Sequence, residues 1–397
     1  MANQQKSLFE QDRLTLQGAL ELSIASLTEY GRRYRRWSIA YSGGKDSSAT
    51  VTFVAYAIKR GLVPAPESLT ILYADTRQEY PPLHATAMRL LHRLRNDGFD
   101  TQVVLPAMDN RFYVYMLGYG VPPPSNRFRW CTPKLKIEPM AAALDAQRGE
   151  DKYLSITGVR LGESLARDQR IAVSCSKDSG ECGQGWFEVK PPSWAGDTLA
   201  PLLHWRLCHV YDWLYFEQHR HGYEEVAGIA AVYGDGDART GCIGCPLASR
   251  DVALERLANT TEWDHLLPLL ELKPLFREMK GAQWRKRKLA PERTQDGGYS
   301  KNGQRKGPLT MHARAHFLEL VLDIQRRVNE AANGRPGVDL INVAEEARIR
   351  EMWSLDMWPR KWSAADVAAD ELIPIVRSVG TELVVQPMLF GGDAGDL

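Results

Sequence analysis

The stretch Tyr41-Ser42-Gly43-Gly44-Lys45-Asp46-Ser47-Ser48 constrains the fold of this chain more than any other. Before it, Trp37-Ser38-Ile39-Ala40-Tyr41 is short, apolar and rich in strand formers. After it, Ala49 to Arg60 is long enough for three helical turns and closes at Gly61. The order is strand, glycine turn, helix. Two adjacent glycines let the backbone turn sharply and bring its N–H groups close to a ligand, because no Cβ obstructs the approach. Ser42, Ser47 and Ser48 add hydroxyl donors, and Lys45 adds a full positive charge. The helix start contributes unpaired N–H groups and the positive end of its dipole. Such a loop suits phosphate, most simply the pyrophosphate portion of ATP. It is not a Walker A loop, which needs four residues between its first glycine and a Gly-Lys-Ser/Thr.

The pattern downstream repeats the alternation. Leu69 to Thr76 predicts a second strand with Asp75 at its acidic end, residues 82–97 a helix, Thr101 to Leu105 a third strand and residues 153–157 a fourth. Strands alternating with helices argue for an α/β fold with a doubly wound parallel sheet. Ligands gather beyond the carboxyl ends of such strands, so Asp75 is expected near the nucleotide or its metal. Residues 13–30 have helical period and lead into the first strand. Residues 251–397 read as a mainly helical C-terminal region, with clear periodicity over 308–330 and 341–358, after a nucleotide-binding domain at 1–250.

Composition narrows the setting. Among 397 residues, 44% are hydrophobic and 25% charged, ordinary for a soluble globular protein. No apolar run approaches the ~18 residues of a membrane span and no signal-peptide core opens the chain, so a cytoplasmic location is expected. Six irregularly spaced cysteines then point to metal or sulfur chemistry before disulfides. Cys242-Ile243-Gly244-Cys245 places two thiolates within reach of one metal.

A net charge of +1 is no global sign of nucleic-acid binding, so evidence for it must be local. Residues 109–139 alternate Arg111, Arg127, Arg129, Lys134 and Lys136 with Phe112, Tyr113, Tyr115, Tyr119, Phe128 and Trp130. Aromatics interleaved with cations stack on bases and neutralise phosphates. The alternative is a buried aromatic cluster with snorkelling basic side chains. Between Arg277 and Lys306 there are ten Lys or Arg against three acids, with Trp284 and Tyr299 among them. This reads as an exposed, partly flexible basic segment that tracks a nucleic-acid backbone, or else as a solvated linker or docking patch.

Ser42-Gly43-Gly44-Lys45-Asp46-Ser47 resembles the PP-loop of the ATP pyrophosphatases, the adenine nucleotide alpha hydrolase-like superfamily that includes the PAPS reductases. Further motifs agree: Asp75-Thr76-Arg77-Gln78-Glu79-Tyr80-Pro81, with Arg77 where that family has glycine, then Gly158-Val159-Arg160-Leu161-Gly162-Glu163-Ser164-Leu165-Ala166-Arg167, and Pro201-Leu202-Leu203-His204-Trp205. With Arg129-Trp130-Cys131-Thr132-Pro133 and Gly180-Glu181-Cys182-Gly183-Gln184-Gly185, the chain looks similar to a narrower group, the PAPS-reductase-like ATP pyrophosphatases of DNA phosphorothioation systems (DndC/SspD type).

The resemblance implies that ATP is split to AMP and pyrophosphate while a DNA backbone phosphate is adenylated. Sulfur from a cysteine desulfurase partner, working with other phosphorothioation proteins, then displaces AMP. Ser42, Gly43, Gly44, Lys45 and Ser47 are expected to hold pyrophosphate, Asp46 and Asp75 to organise Mg²⁺, and Gly158 and Arg160 to meet the α-phosphate. By analogy with the clustered reductases, Cys131 joins Cys242 and Cys245 as a metal ligand, with the fourth open among Cys182, Cys175 and Cys208. Cys208 also reads as a core thiol. A [4Fe–4S] cluster is the expectation, with zinc on the same ligands or reduced thiols as alternatives. Asp251 is a further possible oxygen ligand. No cysteine follows Cys245, so the nucleophile that sulfonucleotide reduction requires is missing. Three alternatives remain: tRNA thiolation, a sulfonucleotide reductase, against which the missing cysteine argues, and a non-catalytic nucleotide-binding scaffold in a modification or defence complex.

Overall fold

The computed structural model describes residues 14–146, 151–163, 165–176, 180–191, 196–234, 241–288, 298, 305–370, 374–376 and 382–384. The chain forms two compact units, and neither is continuous. One comprises Met1–Asp75, Tyr80–Leu105 and Ile137–Thr240; the other comprises Thr76–Glu79, Pro106–Lys136 and Gly241–Leu397. The sequence suggested one cut after residue 250. The second unit instead also takes in two segments that interrupt the first.

The first unit runs α1 (Leu16–Gly31), β1 (Arg36–Tyr41), α2 (Lys45–Lys59), β2 (Ser68–Ala74), α3 (Pro81–Asn96), β3 (Asp100–Val104), α4 (Glu138–Ala146), β4 (Tyr153–Ile156) and α5 (Leu165–Cys175). It continues with β5 (Gly180–Glu181), β6 (Trp186–Glu188), β7 (Gly196–Ala200), α6 (Leu207–Tyr211), α7 (Gln218–His221) and α8 (Ala230–Tyr233). The strands make one sheet in the order β3-β2-β1-β4-β7-β6-β5. Its first five strands are parallel, and β6 and β5 add an antiparallel edge. The sequence foresaw the first four strands and missed the last three, which are short and not uniformly apolar.

Strand order decides where a ligand can sit. From β1 the chain moves outward to β2 and β3, then returns to the other side of β1 as β4. The loops leaving the carboxyl ends of β1 and β4 therefore part at a topological switch point, where open α/β sheets bind their ligands. β1 is held rigidly there. Trp37, Ile39 and Tyr41 have no exposed surface, and Ile39 lies in register between Ile71 and Ile156.

Helix α2 is buried along most of its length. Phe53 meets Trp205 and Trp213 edge-on, each at 5.7 Å. The two indole N–H groups donate to Ser23 Oγ and Thr52 Oγ1, both at 2.9 Å. Each such ring contributes roughly 1.5–3 kcal/mol by burial, and pairing its polar edge avoids an offsetting cost. The start of α2 is thus anchored before any ligand arrives.

The second unit is mainly helical, with α9 (Val252–Ala258), α10 (Leu272–Glu278), α11 (Met311–Ala332) and α12 (Val343–Ser354), plus a two-strand ladder of β8 (Lys286–Arg287) and β9 (Val367–Ala368). Asn342 and Glu345 form a capping box at the start of α12, and Thr310 caps α11. Here the aromatic stretch is in part the buried cluster that the sequence left as the alternative. Phe112, Tyr113 and Trp130 are buried, and Phe112 stacks on Trp130 at 5.4 Å.

The basic run is also corrected. Arg285, Lys286 and Arg287 are buried rather than exposed. Lys286 Nζ donates to the carbonyls of Ser363, Ala364 and Asp366, and Arg285 Nε to that of Gly307. A local charge count cannot show which cations fold inward onto carbonyls. Arg293, Tyr299 and Lys301 of this run lie outside the described residues. Among the described residues, no helix is long and apolar enough to cross a membrane.

Candidate active site

The loop after β1 turns at Gly43, whose φ of +73° suits glycine and whose added Cβ would press on Ala87. Gly44 then occupies the N-cap of α2 with an extended backbone and makes no side-chain cap bond. No side chain of Gly44 competes for the N–H groups of the first turn, which face the switch point. Inside the loop, the Ser42 N–H donates to Ser47 Oγ at 3.2 Å, the two hydroxyls lie 3.0 Å apart, and Ser47 Oγ donates to Gly44 O. These bonds hold the turn in shape and engage both hydroxyl protons, that of Ser47 on Gly44 O and that of Ser42 on Ser47 Oγ.

Two cations converge on the helix start. Lys45 has a side chain only 8% exposed, with its ammonium 4.6 Å from the ring centre of Tyr233 and 3.6 Å from Asp46 Oδ2. Arg160, from the loop after β4, donates through Nε to Asp46 Oδ1 at 2.5 Å and through Nη1 to Trp205 O at 3.1 Å. Asp46 therefore stands between a lysine and an arginine, each facing one of its oxygens. That placement makes it a tether for the two cations. Asp75, the other expected carboxylate, follows β2 directly. Its N–H donates to Val104 O at 3.0 Å.

Two supports complete the arrangement. Gly158 lies so close to α2 that an added Cβ would sit 3.0 Å from Asp46 C and O and 2.9 Å from Thr50 Oγ1. Glu163 accepts from the Arg160 N–H at 3.2 Å and is itself paired with Arg167. Glu163 thus shapes the loop that carries Arg160. Ser164 of this motif lies outside the described residues.

Sequence reasoning missed Tyr233. Its hydroxyl accepts from the Lys45 N–H at 3.4 Å and would meet a Cβ on Gly44 at 2.9 Å. The phenol occupies a position at the helix start that an anionic oxygen would otherwise take. Nothing in the local sequence Ala231-Val232-Tyr233-Gly234 signals this.

The cysteines are arranged differently from expectation. Cys182 forms a disulfide with Cys175, with Cα atoms 5.8 Å apart. The chain turns back from the end of α5 into β5 and brings the two sulfurs together, so Cys182 is not free to act as the fourth metal ligand. Cys208 is exposed, not a core thiol. In the second unit, burial raises the pKa of Cys131, with the charge of Cys245 adding to it, and burial pushes Cys242 up to about 12. The Cys242–Cys245 turn is shaped by Gly244 at φ +62° and tied to the segment after β2 by the Ile243 N–H to Gln78 O bond of 2.7 Å.

Asp251 gives its two oxygens to the N–H groups of Gly244 and Leu254, so it serves as a helix cap. A [4Fe–4S] or zinc centre needs its donors around one point. Among the described residues, no group of three or more His, Cys, Asp or Glu could hold a metal ion, so the donor set does not fit such a centre as arranged.

Residues 36–247 match the family model of the phosphoadenosine phosphosulfate reductase domain. Among solved structures, the chain is similar to a phosphoadenylyl-sulfate (PAPS) reductase from Candida auris in its phosphate complex, at 11% identity and a TM-score of 0.31 over 52% of this chain and 80% of that one. It is also similar to the U34-tRNA thiolase NcsA from Methanococcus maripaludis with its [4Fe-4S] cluster, at 12% identity and a TM-score of 0.36 over 66% and 76%. No curated protein matches the sequence significantly.

Proposed function

The chain belongs to the phosphoadenosine phosphosulfate reductase domain family, and from that premise we propose that it is an ATP pyrophosphatase that adenylates a DNA backbone phosphate for sulfur transfer. The observation that carries the reading is the pairing of Lys45 and Arg160 through Asp46 at the start of α2, where Gly44 offers no side-chain cap. Both cations are nearly buried, which strengthens their field relative to the same charges in water.

The proposed chemistry uses that geometry. A phosphate oxygen of the acceptor attacks the α-phosphorus, the bond to the bridging β-oxygen breaks, and pyrophosphate departs. Charge develops on the leaving oxygens, and the Gly43–Lys45 N–H groups with the Lys45 ammonium are placed to receive it. Arg160 presents its remaining donors to the α-phosphate while Asp46 keeps its plane fixed. Mg²⁺, held by Asp75, would neutralise the phosphate oxygens. Adenylation turns a poor oxygen leaving group into AMP. The terminal sulfur of the desulfurase persulfide attacks the acceptor phosphorus as AMP leaves. A thiol reductant then cleaves the S–S bond, releasing the desulfurase cysteine and leaving the phosphorothioate.

The test uses ATP labelled at the α-phosphate, Mg²⁺, DNA and a desulfurase partner. Labelled AMP with stoichiometric pyrophosphate is the expected result, and Lys45→Glu should abolish it while the circular dichroism spectrum is preserved. Production of ADP, or full activity in Lys45→Glu, would remove the loop from the mechanism. Replacing DNA by tRNA separates this reading from RNA thiolation.

A further inference from the structure

The second unit contains a cavity of about 760 Å³ that no step above uses. Among the described residues its lining includes Lys280, Arg285, Arg305, Lys306, Arg360 and Lys361, and no carboxylate. Two stretches that the sequence set apart, the aromatic one before residue 130 and the basic one ending at Lys306, meet in its wall. Arg285 is buried and spends its donors on the Gly307 and Lys306 carbonyls, so it serves the floor. Arg305, Lys306, Arg360 and Lys361 are exposed.

The wall is also aromatic. Tyr115, Phe128 and Trp362 line it, with Pro122 and Pro123 between. Phe128 is 46% exposed, an unusual position for a large apolar ring, and it is fixed there by a tight turn. Ser125 and Phe128 exchange backbone hydrogen bonds of 3.3 and 3.0 Å. Trp362 is held by its N–H to Pro359 O, and the close approach of its ring requires Gly307, where a Cβ would overlap the indole.

Several exposed cations around a rigid aromatic wall match one ligand chemistry: phosphates spaced along a strand, with at least one base free to stack. A base paired in a duplex cannot offer its face to Phe128, whereas a single strand can. The volume falls within the roughly 300–1,000 Å³ of ligand pockets, too large for a lone phosphate.

We propose that this cavity binds single-stranded nucleic acid, with the strand's phosphates on the rim cations and a base stacked against Phe128. The inference rests on the proposed function only for taking DNA as the acceptor, and the binding needs neither ATP nor sulfur.

The experiment is fluorescence anisotropy of a labelled twelve-nucleotide DNA strand, its RNA equivalent and the matching duplex, titrated with the full chain at several salt concentrations. Either single strand should bind more tightly than the duplex. Phe128→Ala should weaken single-strand binding by roughly five- to tenfold, as loss of one stacked base does. Arg360→Ala with Lys361→Ala should weaken it further and lower the slope of log affinity against log salt by about 0.7 for each phosphate no longer neutralised. The titrations contain neither ATP nor Mg²⁺, so a failed ATP assay leaves this result interpretable. Tighter duplex binding, or unchanged affinity in both cavity variants, would overturn the proposal. So would an inorganic polyphosphate that displaces the strand equally well while Phe128→Ala has no effect.

Discussion

Tyr233 and Lys45 make one contact that matters in two ways. The ring lies against the ammonium and stabilises it by a cation–π contact, while the hydroxyl accepts the first N–H of α2. An incoming phosphate oxygen competes for that N–H. At 3.4 Å the hydrogen bond is weak, near the lower end of the ~0.5–1.5 kcal/mol that such bonds contribute. Tyr233→Phe keeps the ring and removes the competing hydroxyl, so ATP should bind roughly two- to threefold more tightly by calorimetry. Weaker binding would mean that the hydroxyl helps hold the nucleotide. Arg77 is a second residue whose role is visible only in the structure. It takes φ +60° where the resembling family has glycine, a conformation costing roughly 1–2 kcal/mol. Its guanidinium offsets that cost by ion pairs to Asp339 and to the buried Glu345.

At the scale of elements, the β1–loop–α2 segment was legible because its signals are local: strand formers, two glycines, then helical length. The position of Arg160 was not. Its bond to Asp46 spans 114 residues and exists because β4 pairs with β1, a register that no local pattern encodes. The Cys175–Cys182 pairing likewise depends on a chain reversal, and the basic run could not reveal that Lys286 turns inward. Packing around α2 also carries a pH dependence. His221, at the end of α7, is 5% exposed; its Nε2 lies 3.0 Å from Trp213 O and its Nδ1 accepts the Tyr223 N–H. Burial lowers its pKa to about 4. The fold therefore favours the neutral ring and binds fewer protons than the unfolded chain. This contribution is complete above the ordinary histidine value near ~6.5 and is lost as pH falls toward the folded value. Between pH 7 and pH 5 it should lose roughly 2 kcal/mol. Urea unfolding at both pH values, compared with His221→Gln, measures it: the variant should show a smaller difference by that amount, and equal differences would exclude His221 as the cause.

For the molecule as a whole, the discontinuity of the second unit has a direct consequence. A cut after residue 250 looks natural in the sequence, because the family match ends at residue 247 and helical periodicity resumes soon after. The structure places the stabilising contacts of α12 elsewhere. Glu345 is paired with Arg77 and Arg111, Arg348 donates to both oxygens of Asp109, and the Trp353 indole donates to Leu117 O. Arg314, fully buried in α11, gives Nη1 to Gly118 O at 2.8 Å and to Met357 O at 3.0 Å. A fragment of residues 251–397 is stripped of every partner in 76–79 and 106–136. It leaves Glu345 and Arg314 buried without those partners, at a cost of several kcal/mol for each unpaired charge. Of the fragment's helices, α9, α10 and α12 are at or below the ~12–15 residues at which an isolated helix is marginal in water. That leaves α11 alone long enough to persist in part. The fragment should therefore show little helical circular dichroism and no cooperative thermal transition, while the full chain shows both. Adding back a peptide of residues 106–136 should restore part of the helical signal. A fragment that folds by itself would mean that α9, α10 and α11 bury enough apolar surface to stand without those two segments.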